Sequence, residues 1–569
     1  MQFHVLAADY DGTLAHDGHV PQSTIDCLRR LRDSGRSLVL VTGRRLEPIL
    51  DLFPEVSLFN RIVAENGALL FNPESGEETL LADPPPPGFV EALQRRGVDR
   101  LETGRCIVAT WQPFEAISLE VIHDFQVDLQ IVFNKDAVML LPSGINKASG
   151  LKKALYQLGF SPLNTVAVGD AENDAAMMRA CSVAAAVDNA LPGVKALADI
   201  VLTQPRGAGV EELVDRLLYD DLAEMRQRPK QRLAIGSTLD GDPFSISGYG
   251  DSLLVTGGPG GGKSKFALSV IESLTERGEQ CCVIDPEGDF QGLPSSIALG
   301  SADRAPDVEE VIRVLEQPGD HCIVSFFSIA KNERPEYFNK LFRALAELRS
   351  RTGRPHWIIV DEAHYVAPKD WQPAKMWSGE ELSGIIFITA FHDQISPAVL
   401  EHVDWIVSIA KEPETAIAQC CEIMGERLPE FHPPESSCEL KALAWRRGDD
   451  RPTWFSRLSP QSDGQRHQHS YYEGEMDEEF QFVFRGPQAK LSLAIGNLKE
   501  FVKMGTGIDD ETWNYHLKRH DYSNWFREVI KDAALADMIE DIERTQDLSP
   551  EQSRQLITDH IHERFKPKW

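Results

Sequence analysis

Residues 3–14 read FHVLAADYDGTL, an apolar run that stops on Asp9, Tyr10, Asp11 and Gly12. A short apolar run closed by acid and glycine reads as a strand buried on both faces of a parallel sheet. In open α/β sheets ligands sit beyond the carboxyl ends of the strands, so Asp9 and Asp11 fall where a ligand would bind. Two carboxylates that close repel unless a cation or a proton lies between them. The same grammar recurs in SLVLVTGR (37–44) and TVAVGD (165–170). It starts again in DSLLVTGG (251–258), QCCVIDPEGD (280–289), HCIVSFFS (321–328), HWIIVDE (356–362) and GIIFITA (384–390). Two such sets, with helical patterns between the runs, predict an α/β chain with two Rossmann-like three-layer domains.

The first set carries more than an acid pair. Thr42 brings a hydroxyl to the end of the next run. Lys147, in GINKASGL, stands where a helix begins, and Asp170, Asn173 and Asp174 follow a later run in VAVGDAEND. Acid pair, hydroxyl, lysine and second acid pair, in that order, resemble the haloacid dehalogenase superfamily of phosphatases over about residues 1–215. AENGALL (64–70) resembles a segment of the type II-capped, Cof-like subgroup, whose cap lies between the second and third motifs. The resemblance implies a core at 1–82 and 144–220 with a small inserted α/β cap at 83–143. It further implies an Asp9 nucleophile forming an aspartyl phosphate and Asp11 as general acid and base. Mg²⁺ would be held by Asp9, the Asp11 carbonyl and Asp170, with Asp174 supporting the metal site or Lys147. Thr42 and Lys147 would hold the transferring phosphoryl oxygens of a small phosphorylated metabolite. Tyr10 between the acids and Ala148 after the lysine depart from the usual pattern without removing a chemical group.

GGPGGGKSK (Gly257, Gly258, Pro259, Gly260, Gly261, Gly262, Lys263, Ser264, Lys265) contains the full GxxxxGK[ST] spacing between an apolar run and a helical pattern. Glycines let backbone N–H groups wrap a phosphate at a helix N-terminus. In an ATP site Lys263 reaches the β and γ phosphates and Ser264 ligates Mg²⁺. Asp361 adds to the Mg²⁺ shell, and Glu362 polarises a water, which favours hydrolysis over transfer. Asp285, Glu287 and Asp289 end a second strand, and Thr389, His392 and Gln394 follow another. Residues 235–455 resemble the HerA/FtsK-like branch of P-loop ATPases. That resemblance implies a homo-oligomer, as large as a hexamer, using a neighbour's arginine, for which Arg446 and Arg447 are candidates.

The breakers are Pro84–Pro87, a linker at 221–234 that runs into the polar stretch 226–243, and a linker at 456–472. Beyond them, residues 473–569 read as a mainly helical accessory domain with Trp513, Tyr515, Tyr522, Trp525 and Phe526 as its core. His516 and His520 are spaced for one helix face, though surface or capping histidines are commoner than a metal pair at that spacing. With 58 Lys and Arg against 88 Asp and Glu, the formal charge of −30 disfavours indiscriminate binding to nucleic acid or anionic membrane. Nine Cys without a CxxC read as reduced thiols in a cytoplasmic protein. No apolar run is long enough for a membrane span, and the amino terminus has no signal-peptide pattern. The expectation is a bifunctional Mg²⁺-dependent phosphatase and ATP hydrolase. Its rivals are a nucleic-acid end-processing enzyme and a DNA-dependent motor.

Overall fold

The structure, a computed structural model, describes all residues except 135–136, 228–231, 249, 259–260, 291–292, 294–295, 302, 372–382, 433–440, 459–480, 488–490, 531, 546–547 and 566–569. Pro259 and Gly260 therefore lie outside the described residues, as do the first residues of the accessory domain expected at 473–569 and most of the linker expected at 456–472.

The first sheet begins with β1 (Val5–Asp9), β2 (Ser37–Val41), β3 (Arg61–Ala64), β4 (Leu69–Asn72) and β5 (Glu77–Leu80). After an insertion carrying β6 (Glu102–Thr103), β7 (Val108–Trp111), β8 (Leu129–Asn134) and β9 (Ala137–Pro142), it is completed by β10 (Thr165–Gly169), β11 (Val183–Ala186) and β12 (Ile200–Val201). Its order is β12-β11-β10-β1-β2-β3-β4-β5. The strands from β12 to β3 are parallel, and β4 and β5 return antiparallel. β1 thus lies between the next strand in the chain and a much later one. That is a topological switch point, where a crevice opens at the carboxyl edge. All five residues of β1 are buried, as a strand covered on both faces requires. The insertion folds as a four-stranded antiparallel sheet, β6-β7-β9-β8, whose own core includes Phe89, Leu93, Val108, Val121 and Leu140.

The second sheet has eleven strands. They are β13 (Arg232–Thr238), β14 (Pro243–Ser247), β15 (Ser252–Thr256), β16 (Cys281–Asp285), β17 (Ser296–Leu299), β18 (His321–Ser325), β19 (Trp357–Val360), β20 (Ile385–Thr389), β21 (Trp405–Ser408), β22 (Lys441–Arg446) and β23 (Thr453–Arg457). The order is β14-β13-β23-β22-β21-β15-β20-β19-β16-β18-β17, parallel from β21 to β17. Sheet takes up part of each stretch read as a linker, Arg232–Thr238 of the first and Ser456–Arg457 of the second. Residues Arg232–Thr238 and Pro243–Ser247 form an antiparallel hairpin that buries Leu233, Ile235, Phe244 and Ile246. Ser456 and Arg457 end β23 rather than opening a linker. The carboxyl-terminal region pairs β24 (Phe482–Phe484) with β25 (Leu493–Ile495) and packs five helices around them. Trp513, Tyr522, Trp525 and Phe526 are buried there, while Tyr515 is only half-buried. No helix among the described residues is long and apolar enough to cross a membrane.

The two large sheets meet at their amino edges. Arg354, wholly buried, donates to Gln280 Oε1 and Leu315 O, both at 2.9 Å, and reaches across to the carbonyl of Gly159. His356 Nδ1 accepts from the Gln280 amide at 2.8 Å, which leaves Nε2 protonated to donate to Asn164 Oδ1 at 3.1 Å. Burial, reinforced by Arg354 and Arg349, pushes His356 down to about 3, so this ring is neutral. Gly353, at φ +70°, is needed where it stands: a Cβ would lie 2.4 Å from the Asn164 side chain.

Candidate functional site

At the carboxyl edge of β1, Lys147 Nζ donates to Asp9 Oδ1 at 2.5 Å and to Asp174 Oδ1 at 2.6 Å, with all three side chains buried. Lys147 opens the helix Lys147–Leu158, whose N-cap Asn146 accepts from Ala148 and Ser149. That cap fixes where the lysine leaves the backbone. The second oxygen of Asp174 accepts the amides of Asp170 and Ala171, both at 2.9 Å. Both Asp174 oxygens are thereby engaged in holding the lysine and the Asp170 loop. Gly12 turns at φ +86°, and a Cβ there would lie 2.4 Å from Asp170 Oδ2. Only glycine lets the two acid segments approach so closely. Thr42 is buried beside them, its hydroxyl accepting the Arg44 amide at 3.1 Å.

The charges do not balance locally. Carboxylate oxygens of Asp9, Asp170 and Asp174 lie within 4.8 Å of one another, with one ammonium among them. Burial, then the Asp174 charge, pushes Asp9 up to about 8 against the pull of Lys147. Burial works to lower Lys147, and the charges of Asp174 and Asp9 overcome it. A set of hard oxygen donors with surplus negative charge suits Mg²⁺.

A cavity of about 230 Å³ opens above this cluster, between the core and the inserted sheet. Asp9, Asp11, Lys147 and Asn173 line its floor, and Ile107, Trp111 and Met139 come from the insertion. Arg44 and Arg45 line the wall. Arg44 grips Asp11 with two bonds of 2.6 Å, a geometry the sequence did not reveal. Glu65 ties insertion to core: its carboxylate accepts the amides of Arg105, Cys106 and Ile107 at 2.7, 2.8 and 3.3 Å.

A second constellation occupies the carboxyl edge of the other sheet. The glycine loop follows β15 and leads into the helix Lys263–Glu276. Lys263 Nζ donates to the carbonyls of Gly257 at 2.9 Å and Gly258 at 3.3 Å. Ser264 Oγ lies 3.4 Å from Asp289 Oδ2. Asp361 and Glu362 follow β19, and Asp361 Oδ2 is buried without a hydrogen bond. Burial, then the charges of Glu362, Asp289, Asp285 and Glu287, raises Asp361 well above the carboxylate range. Glu362 sits in the left-handed region at φ +38°, a costly conformation found at functional sites. His364 lies 3.4 Å from Glu362 and 3.1 Å from the Thr389 hydroxyl. His392 bridges Thr256 at 3.0 Å and Gln419 at 2.8 Å.

Residues 6–94 and 107–214 match the family model of haloacid dehalogenase-like hydrolases. Phosphoglycolate phosphatase 2 of Saccharolobus solfataricus is 30% identical over 229 residues, covering 38% of this chain and 92% of that protein. The chain belongs to the haloacid dehalogenase-like hydrolases. The phosphoglycolate phosphatase of Halorubrum lacusprofundi is 31% identical over 208 residues, 35% of this chain and 89% of that protein. A haloacid dehalogenase-like hydrolase crystal structure from Bacteroides thetaiotaomicron aligns at TM-score 0.35 and 22% identity, over 38% of this chain and 99% of that one.

The haloacid dehalogenase-like part is a phosphatase domain, and the match ends at residue 214. Within it the structure brings together Asp9, Thr42, Lys147, Asp170 and Asp174, while Asp11 is turned to Arg44. Outside it, Arg446 stacks on Trp405 and Arg447 pairs with Glu426. His516 and His520 do not converge: the first bonds Asp521 at 2.8 Å, the second Glu543 at 3.1 Å.

Proposed function

We propose that the amino-terminal site hydrolyses small anionic phosphate monoesters, with phosphoglycolate the first to test, and that the second sheet hydrolyses ATP. The observation that carries the first half is Lys147 held between Asp9 and Asp174 beneath a capped cavity. Its volume of about 230 Å³ is below the usual 300–1,000 Å³ of ligand pockets. A small ester fits such a space and a polynucleotide end does not. Arg44, paired here with Asp11, and Arg45, 3.8 Å from Glu102, put on the wall the guanidinium groups that recognise a phosphate or carboxylate.

In this reading Asp9 attacks phosphorus and the ester P–O bond breaks, leaving an aspartyl phosphate. Asp11, released from the Arg44 pair it makes here and protonated, gives a proton to the departing alcohol and then takes one from the water that attacks the intermediate, releasing Asp9 and inorganic phosphate. Lys147 stabilises the charge on the transferring oxygens. Mg²⁺ held by Asp9 and Asp170 would supply the positive charge that offsets repulsion between carboxylate and phosphate. Phosphoglycolate and Mg²⁺ with the full chain test this. Asp9→Asn should lower phosphate release by about three orders of magnitude or more. Wild-type release by that variant overturns the reading.

The ATPase half rests on the glycine loop and the Asp361–Glu362 edge in one sheet, with β20 and its Thr389 between them. Lys263→Ala should bring ATP hydrolysis to background while leaving phosphate release intact. Equal ATP hydrolysis by Lys263→Ala would remove this half alone.

A further inference from the structure

Arg457, the last residue of β23, lies against the glycine loop of its own chain. Its Nη1 donates to the carbonyls of Gly261 at 3.2 Å and Gly262 at 3.4 Å. A Cβ built on Gly262 would lie 2.8 Å from that nitrogen. The guanidinium Nε is buried without a hydrogen bond, and no carboxylate among the described residues pairs with Arg457. Burial depresses its pKa, with nothing raising it in compensation. Carbonyls satisfy N–H groups but do not neutralise a charge. A half-buried cation without a counter-ion is costly, and an arginine fork is shaped for phosphate. Lys263 is likewise bonded to carbonyls of the loop, those of Gly257 and Gly258. Two cations thus grip one loop through neutral oxygens, and an anion in that loop would answer both.

We infer that Arg457 is a phosphate-binding residue of the nucleotide site, supplied by the same chain. The inference rests on the ATPase reading and extends it: the site carries an arginine of its own. The nearest rival is a purely structural tie between β23 and the loop. Gln at 457 can still donate to the loop carbonyls but carries no charge, so it separates the two.

The test is equilibrium titration of the full chain with a fluorescent ATP analogue and Mg²⁺, alongside thermal melting without nucleotide. Arg457→Gln should weaken nucleotide binding about tenfold or more while the nucleotide-free melting temperature stays at the wild-type value. Arg457→Lys should recover most of the affinity. Wild-type affinity in Arg457→Gln makes Arg457 a tie only and overturns the inference. So does lost affinity accompanied by a lowered melting temperature that Arg457→Lys fails to restore. Mixing Lys263→Ala with Arg457→Gln separates cis from trans: recovered hydrolysis means the arginine serves a neighbour, and none is expected. If the wild type binds no nucleotide, the ATPase reading falls first, and that result is visible before any variant is made.

Discussion

The two sheet edges treat their lysines in opposite ways. At the first, Lys147 is clamped between Asp9 and Asp174, and a third acid, Asp170, stands by. At the second, Lys263 rests on backbone carbonyls, and the acids Asp285, Asp289, Asp361 and Glu362 gather elsewhere along the same edge. The first edge keeps its charges together, so its lysine is part of what holds the fold there. The second keeps them apart, so its lysine contributes little to the resting structure.

The largest effect expected from that contrast is on stability. Lys147→Met strands buried carboxylates, and breaking a buried pair costs about 3–5 kcal/mol. Lys263→Met removes two bonds to carbonyls, worth about 1 kcal/mol each. Denaturant unfolding of the two variants without Mg²⁺ should show that order, and equal losses would erase the distinction. Each variant should also silence only the reaction at its own edge, read as phosphate release from phosphoglycolate and from ATP.

The joint between the sheets gives the next effect. The native His356 binds its proton at about 3, against an ordinary value of 6.5. The unfolded chain therefore binds more protons between those values, so stability is complete above pH 6.5 and falls as pH drops towards 3. The slope is about 1.4 kcal/mol per pH unit. Buried His4, lowered to about 4 mainly by burial, adds in the same direction. His356→Gln should flatten the melting profile between pH 6 and 4 relative to wild type, and an unchanged slope would remove His356 as its source. A smaller effect is expected at Glu65. Glu65→Gln keeps a carbonyl acceptor but loses the charge shared by three amides, worth about 1–2 kcal/mol. Faster hydrogen exchange at Arg105, Cys106 and Ile107, with the core amides unchanged, would locate that loss in the tie between cap and core.

Asp9, Thr42, Lys147, Asp170, Lys263 and Asp361 were legible because each stands where an apolar run stops or a helix begins. Such boundaries are local in sequence, and the fold's own rule puts them at the ligand edge. Arg44's grip on Asp11, Glu65's hold on the cap, and the Arg354–His356 joint were not legible. Each depends on which distant segment arrives opposite, and arginine, glutamate and histidine look alike on any surface. The hairpin Arg232–Ser247 escaped for another reason. Its four buried apolar residues alternate within polar, turn-rich sequence, and so short a period-two signal is weak until the neighbouring strand is known. Arg457 was hidden by the same effect, lying in a stretch that reads as the start of a linker.

The sheets touch at their amino edges, so the two carboxyl edges lie on the far sides of the joint. The contacts that join the sheets, Arg354 to Gly159 and His356 to Asn164, lie at the strand ends opposite both candidate sites. Two bowls joined base to base turn their rims away from each other, and the Arg354–His356 seam is the base they share.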